Sequence, residues 1–172
     1  MKTQLWILAE ALCYPDKERK ARLEDGIRTL PAGSVRRHLE SFMQGLSRYS
    51  LDEWEELFTR TLELNPICPP YLGYLIWGDS YSRGKFMAEL KPPMRKAGIE
   101  LDGELPDHIV PVLRYLDQAF EIPEELEVIL GPAVQSMVSS LAETDPENLY
   151  LEPLTAVLEV IDPRDGGANV LE

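Results

Sequence analysis

Apolar residues recur along almost the whole chain at the i, i+3, i+4, i+7 spacing of an amphipathic helix. The two-residue alternation of a half-buried strand is nearly absent. That periodicity leaves little room for anything but helix on helix. Leu5, Leu8, Ala9 and Leu12 form a first stripe, and Leu23, Ile27 and Leu30 a second after a break at Pro15-Asp16. A third helix is expected from Pro31 to Ser47 with Val35, Leu39, Phe42, Met43 and Leu46 inward. A fourth opens at Leu51-Asp52 with Trp54, Leu57, Phe58 and Thr61 on one side.

Proline and glycine punctuate the rest. Asn65-Pro66 and Pro69-Pro70 form a rigid stretch that cannot be helix interior. Tyr71 to Trp77 reads as a short buried helix. Ser80 to Ala97 reads as a long one stopped by Gly98 and kinked or broken at Pro92-Pro93. The most regular pattern runs from Pro106 to Phe120, with Pro106 in the first turn, a modest bend at Pro111, and Ile109, Val112, Leu113, Leu116 and Phe120 inward. Pro123-Glu124-Glu125 starts a helix that Gly131-Pro132 should bend or divide. A last helix is expected from Pro146 to Ile161. The chain is thus expected to be all-α, a single-domain multi-helical bundle of about eight to ten helices over residues 1–161. A frayed tail is expected over 162–172.

Composition narrows the function classes. Thirty acidic residues against seventeen basic ones give a net charge of −13, which repels a phosphate backbone and excludes nucleic acid as a natural partner. The same charge attracts basic segments, although acidity also serves solubility alone. Cys13 and Cys68 stand far apart, so no disulfide framework is implied, and a reducing cytoplasm fits. At the N-terminus, Lys2 and Leu5-Trp6-Ile7-Leu8 imitate a signal peptide, but the apolar run is short and Glu10 interrupts it. No run approaches the roughly 18 apolar residues of a membrane span, so stable membrane insertion is not expected.

Catalytic constellations are missing from the pattern. Between Gly78 and Gly84 lie five residues where a phosphate loop has four, and Phe86 stands where its hydroxyl belongs. No pair among Cys13, Cys68, His38 and His108 has metal-ligand spacing, and neither a metal nor another cofactor is expected. His38 follows Arg36-Arg37 and reads as a solvated surface histidine. Arg36-Arg37 itself, with no apolar run behind it, reads as a solvated basic face rather than an export signal. The chain is therefore read as no enzyme.

Two stretches exceed what a helical bundle requires. One is Pro66-Ile67-Cys68-Pro69-Pro70-Tyr71-Leu72-Gly73-Tyr74-Leu75-Ile76-Trp77-Gly78-Asp79 with Arg83-Gly84. The other is Gly98-Ile99-Glu100-Leu101 leading into Glu104-Leu105-Pro106-Asp107-His108-Ile109. Together they resemble the NarJ/TorD/DmsD family of assembly chaperones for molybdenum-containing oxidoreductases, nearer its NarJ-like branch. The Glu-x-Pro-Asp-His element is the most specific part. Tyr71-Leu72-Gly73-Tyr74-Leu75-Ile76-Trp77 replaces the histidine-rich stretch usual in the nitrate-reductase branch, and Pro69-Pro70-Tyr71 echoes the TorD branch.

The resemblance implies a cytoplasmic chaperone. Such a protein binds the N-terminal leader or segment of an apo molybdenum oxidoreductase catalytic subunit and assists molybdenum cofactor insertion before export or membrane attachment. It places the functional surface on Glu104, Pro106, Asp107 and His108, with Tyr71, Tyr74, Trp77 and Arg83 adjoining. Physically, the aromatics are suited to line a groove for an apolar helix or to pack in the core. Glu104 and Asp107 are suited to receive a leader's arginines, while Asp107 also suits the helix dipole. His108 alone is not demanded by helix logic. A general helical adaptor and a nucleotide-binding enzyme are the competing readings.

Overall fold

A computed structural model describes residues 3–64 and 66–162. Its helices are α1 (Gln4–Ala11), α2 (Arg19–Thr29), α3 (Ser34–Leu46), α4 (Leu51–Phe58), α5 (Leu72–Trp77), α6 (Tyr81–Lys96), α7 (Ile109–Gln118), α8 (Glu124–Thr144) and α9 (Leu151–Ile161). A π-helical turn, Thr59–Glu63, extends α4. Among the described residues there is no β-strand, only one isolated antiparallel bridge between Tyr71 and His108. The expected all-α single domain is what forms. Residues 163–172 of the expected tail, and Asn65 in the expected break, lie outside the described residues.

The centre is α1, packed against α2, α7 and α9. Its expected amphipathic stripe is too narrow: Ile7, Leu8, Ala9, Glu10 and Ala11 are all buried. Glu10 tolerates this because Arg19 and Arg114 bind its two oxygens at 2.8 and 3.4 Å. A lone carboxylate there would carry a large desolvation cost. On the other side of the bundle α9 packs against α3 and α8, and α5 lies between α6 and α8. Trp54 donates its indole N–H to Tyr150 Oη at 2.9 Å, so one of the largest buried side chains leaves no orphan donor.

Several helices run through residues expected to break them. Pro132 sits within α8 and Pro92-Pro93 within α6, yet both helices remain continuous. A helical proline strands the carbonyl four residues back, here Val128, Ala88 and Glu89. All three of those residues are exposed, so the freed carbonyls lie on the solvent face, where water satisfies them. Helix α9 begins at Leu151 rather than Pro146. Residues 145–150 form turns instead, held by Asn148, whose amide donates to Thr61 Oγ1 and whose oxygen accepts from the Tyr150 N–H.

The largest revision concerns α7. It begins at Ile109, three residues after Pro106, and ends at Gln118. Pro106 and Asp107 therefore belong to the preceding turn, and Pro111 occupies the third helical position. There the missing N–H costs no intrahelical bond, and the bend expected at Pro111 has no cause. Phe120 falls beyond the helix and is fully exposed instead of inward.

His38 is also not a free surface histidine. Its Nδ1 lies 2.6 Å from Glu152 and its Nε2 lies 3.2 Å from Glu159, pinning α3 to α9.

Candidate functional site

The site grows from two short backbone bonds that no local pattern announces. The Leu72 N–H donates to the Asp107 carbonyl at 2.8 Å, and the Ile109 N–H donates to the Pro70 carbonyl at 2.8 Å. These join the start of α5 to the start of α7. The turn before them is built from positive-φ residues, Asp102 (52°) and Gly103 (87°), and Gly98 (73°) closes α6.

Around this joint the expected site residues assemble, but in two different conditions. Asp107 is fully buried. It accepts Arg83 Nε at 2.9 Å, while Arg83 Nη1 reaches Asp79 at 2.9 Å. The Arg83 guanidinium also lies 5.5 Å from the ring centroids of both Tyr71 and Tyr74, within cation–π range. Gly73 permits this closeness. A Cβ there would stand 2.9 Å from Asp107 Oδ2 and 3.2 Å from both Arg83 Cγ and Phe86 Cδ1. Asp107 is consequently spoken for, and the expectation that it receives a leader's arginine is corrected by Arg83.

His108 is the N-cap of α7, its Nδ1 accepting the Val110 N–H at 3.1 Å. Helix geometry therefore does use this residue, contrary to the expectation that it does not. Burial pushes its pKa below 6.5, overcoming Glu104 and Asp107, and only an unprotonated Nδ1 can accept that bond. The Tyr71 ring meets the His108 ring edge-on at 5.2 Å. Its hydroxyl donates to Glu104 at 3.0 Å. Burial, then that carboxylate, push the Tyr71 pKa up to about 12. Pro106 is buried.

Beside Tyr71, Glu104 and His108 opens a cleft of about 280 Å³. Its apolar wall is Leu12, Tyr14, Phe58, Leu62 and Val110, and its polar rim includes Arg19, Glu63, Asp102 and Arg114. Tyr14 and Phe58 meet edge-on at 5.2 Å. The π turn brings Leu62 and Glu63 to this wall, its i→i+5 bond running from the Leu64 N–H to the Thr59 carbonyl at 2.9 Å.

Both rim arginines are already neutralised. Arg19 holds Glu10 and Asp16, and Arg114 holds Glu10 and Asp102. Glu63 and Glu104 have no basic partner among the described residues. The cleft thus offers apolar contact together with two uncompensated carboxylates.

Tyr71, Glu104 and His108 reach this cleft. Tyr74, Arg83 and Asp107 sit on the other side of Tyr71, and Trp77 packs on Phe86 at 5.3 Å away from it. The α5 helix is less buried than expected, with Tyr74 and Ile76 exposed. Leu12, Tyr14, Leu62, Glu63 and Arg114 were not anticipated, since they come from helix ends far apart in sequence. Of the cleft's apolar wall, Leu12 and Phe58 were expected on helical stripes, but as core rather than as the lining of a site.

Among the described residues no group of three or more His, Cys, Asp or Glu side chains could hold a metal ion. No described helix is long and apolar enough to cross a membrane. The Gly78–Phe86 segment is a helix cap and the opening of α6, with no strand before it, so it is not a phosphate loop.

The fold is similar to that of a crystal structure from Archaeoglobus fulgidus assigned as a redox enzyme maturation protein. The TM-score is 0.68 at 17% identity, covering 94% of each chain. No curated protein sequence matches. The sequence model of the nitrate reductase delta subunit family matches residues 30–144, a span that holds α3 to α8, the Tyr71–His108 joint and most of the cleft. The chain belongs to the nitrate reductase delta subunit family.

Proposed function

We propose that this protein is a cytoplasmic assembly chaperone for a molybdenum-containing redox enzyme. It binds the N-terminal leader or segment of the apo catalytic subunit and assists molybdenum cofactor insertion before export or membrane attachment. The observation that carries this reading is the cleft at Tyr71, Glu104 and His108, which combines an apolar wall with the unpaired carboxylates Glu63 and Glu104.

A leader segment combines basic and apolar side chains, and both find complements there. At about 280 Å³ the cleft is at the small end of ligand pockets and suits a few side chains of a peptide lying across it. Glu104 meets the basic group from the rim, with Tyr71 fixing its carboxylate. The Arg83–Asp107 pair supports this surface from behind and does not touch the peptide.

Calorimetry with N-terminal peptides of molybdoenzyme catalytic subunits tests the reading. One such peptide should bind, and Glu104→Gln together with Glu63→Gln should weaken it about tenfold while the thermal midpoint stays nearly fixed. Binding that is indifferent to these substitutions and to Tyr71→Ala would sink it.

A further inference from the structure

A second surface lies at the opposite end of α7. From residue 115 to residue 163 the sequence holds eleven acidic residues and no Lys, Arg or His. All but one of the basic residues precede this stretch.

Where α7 turns into α8, that charge surrounds exposed apolar side chains. Phe120 is 105% exposed and Val128 is 67% exposed. Glu121, Glu124, Glu125 and Glu127 are exposed beside them, and Glu124 and Val128 share a helix face four residues apart. The turn is pinned, because Tyr115 Oη donates to the Glu121 carbonyl at 2.8 Å. Phe120 is thus held outward by a fixed turn.

The charges are also unanswered. None of Asp117, Glu121, Glu124, Glu125 and Glu127 makes an ion pair among the described residues. Asp117 stands in the last turn of α7, where a carboxylate opposes the negative end of the helix dipole. Its Oδ2 accepts only the neighbouring Gln118 amide, and its Oδ1 is buried without a partner. A cation supplied from outside would pair with the exposed glutamates and, through space, offset the charge of Asp117. A second copy meeting this face with the same face would set the same carboxylates against one another.

We propose that the α7–α8 turn is a docking surface for a basic, amphipathic polypeptide segment, with Phe120 and Val128 as apolar anchors and the surrounding carboxylates receiving its Lys and Arg. If the client-binding reading holds, this gives the client a second foothold, one α7 length from the His108 cleft. That is about 15 Å for a ten-residue helix.

The test uses the full chain and a fluorescein-labelled amphipathic peptide of Arg, Lys and Leu. Its scrambled isomer has equal charge but no apolar face. Anisotropy at low salt should show binding that salt weakens and that the scrambled isomer loses in large part. Phe120→Ser should weaken the peptide about tenfold, as should Glu124→Lys with Glu125→Lys. The same reversal at exposed Glu143 and Glu147 should change it less than about twofold.

Equal effects from both reversals, or equal binding of the scrambled peptide, would reduce the surface to unspecific charge and overturn the proposal. So would a gain in affinity of several fold on removing residues 163–172, which would assign the surface to the chain's own end. A Phe120-dependent dimer with no effect on peptide binding would overturn it as well. The loss of peptide affinity caused by Phe120→Ser should be as large in a Glu63→Gln, Glu104→Gln background as in the unsubstituted chain. Loss of a client leader in those variants, with no effect of Phe120→Ser on any peptide, would uphold the cleft and remove only the second surface.

Discussion

Two polar joints tie distant parts of this chain together, and they are made of different material. At the α5–α7 joint a fully buried carboxylate, Asp107, meets the nearly buried guanidinium of Arg83, with Tyr71 and Tyr74 over the cation. At the α3–α9 seam His38 lies between Glu152 and Glu159, all three about a quarter to a third exposed. The first pair is shielded from solvent. The second sets one imidazole between two carboxylates, and only a ring with hydrogens on both nitrogens can donate to both. The dry joint stands behind the proposed client surface, and the more exposed one ties α3 to α9. A chaperone that must present a fixed shape is better served by that arrangement than by its reverse.

The largest expected effect comes from breaking the dry joint. Asp107→Ala leaves Arg83 buried and without its main partner, a loss of about 3–5 kcal/mol for a buried pair. A drop in the denaturation midpoint measured at neutral pH checks this. Asp107→Ala combined with Arg83→Met removes both charges, and should recover most of the loss if the penalty is the stranded cation. An equal loss in single and double variants would show that the pair is not the cause.

The seam yields a smaller effect with a pH signature. Burial raises the Glu159 pKa, but the neighbouring Ser34 hydroxyl, the His38 hydrogen bond and the charges of His38 and Arg37 outweigh it and hold the group below its usual 4.5. A carboxylate with a depressed folded pKa contributes stability above its unfolded pKa and loses it as pH falls through the folded one. Thermal melts should therefore show a loss below about pH 4.5 that is reduced in Glu159→Gln. Near pH 6 the same substitution should cost about 1 kcal/mol or less. Parallel pH curves for the two proteins would detach the seam from acid stability.

Neither joint was legible as such. The helical faces were, because burial of a repeating stripe is a local property: Val35, Leu39, Phe42 and Leu46 are all buried as their spacing requires. The start of α7 was not. Pro106 is suited to a first helical turn and equally to the turn before it, and what decides is a pair of backbone bonds to Pro70 and Leu72, far back in the chain. The partners of His38 lie 114 and 121 residues away. Phe120 kept the helical rhythm, but the chain leaves the helix after Gln118 when Tyr115 fastens the following turn. At the cleft, Tyr71, Glu104 and His108 were readable from a motif resemblance, whereas its wall depends on a π turn and three helix ends that only tertiary packing brings together.

The smallest effect separates two roles for one residue. His108 caps α7 with an unprotonated Nδ1 and also faces the cleft. Its depressed pKa means that the unfolded chain takes up a proton first. Stability is therefore full above about pH 6.5 and falls as pH drops from there through the folded value. Asn is a strong N-cap without a titrating group, so His108→Asn should hold stability at pH 7.5 to within about 0.5 kcal/mol. It should also remove the decline that begins near pH 6.5. Melts at pH 7.5 and pH 5.5 read both quantities. If leader affinity also survives His108→Asn but not His108→Ala, the histidine serves the site only by starting α7 at Ile109. Loss of affinity in a stable Asn variant would mean that the imidazole itself meets the peptide.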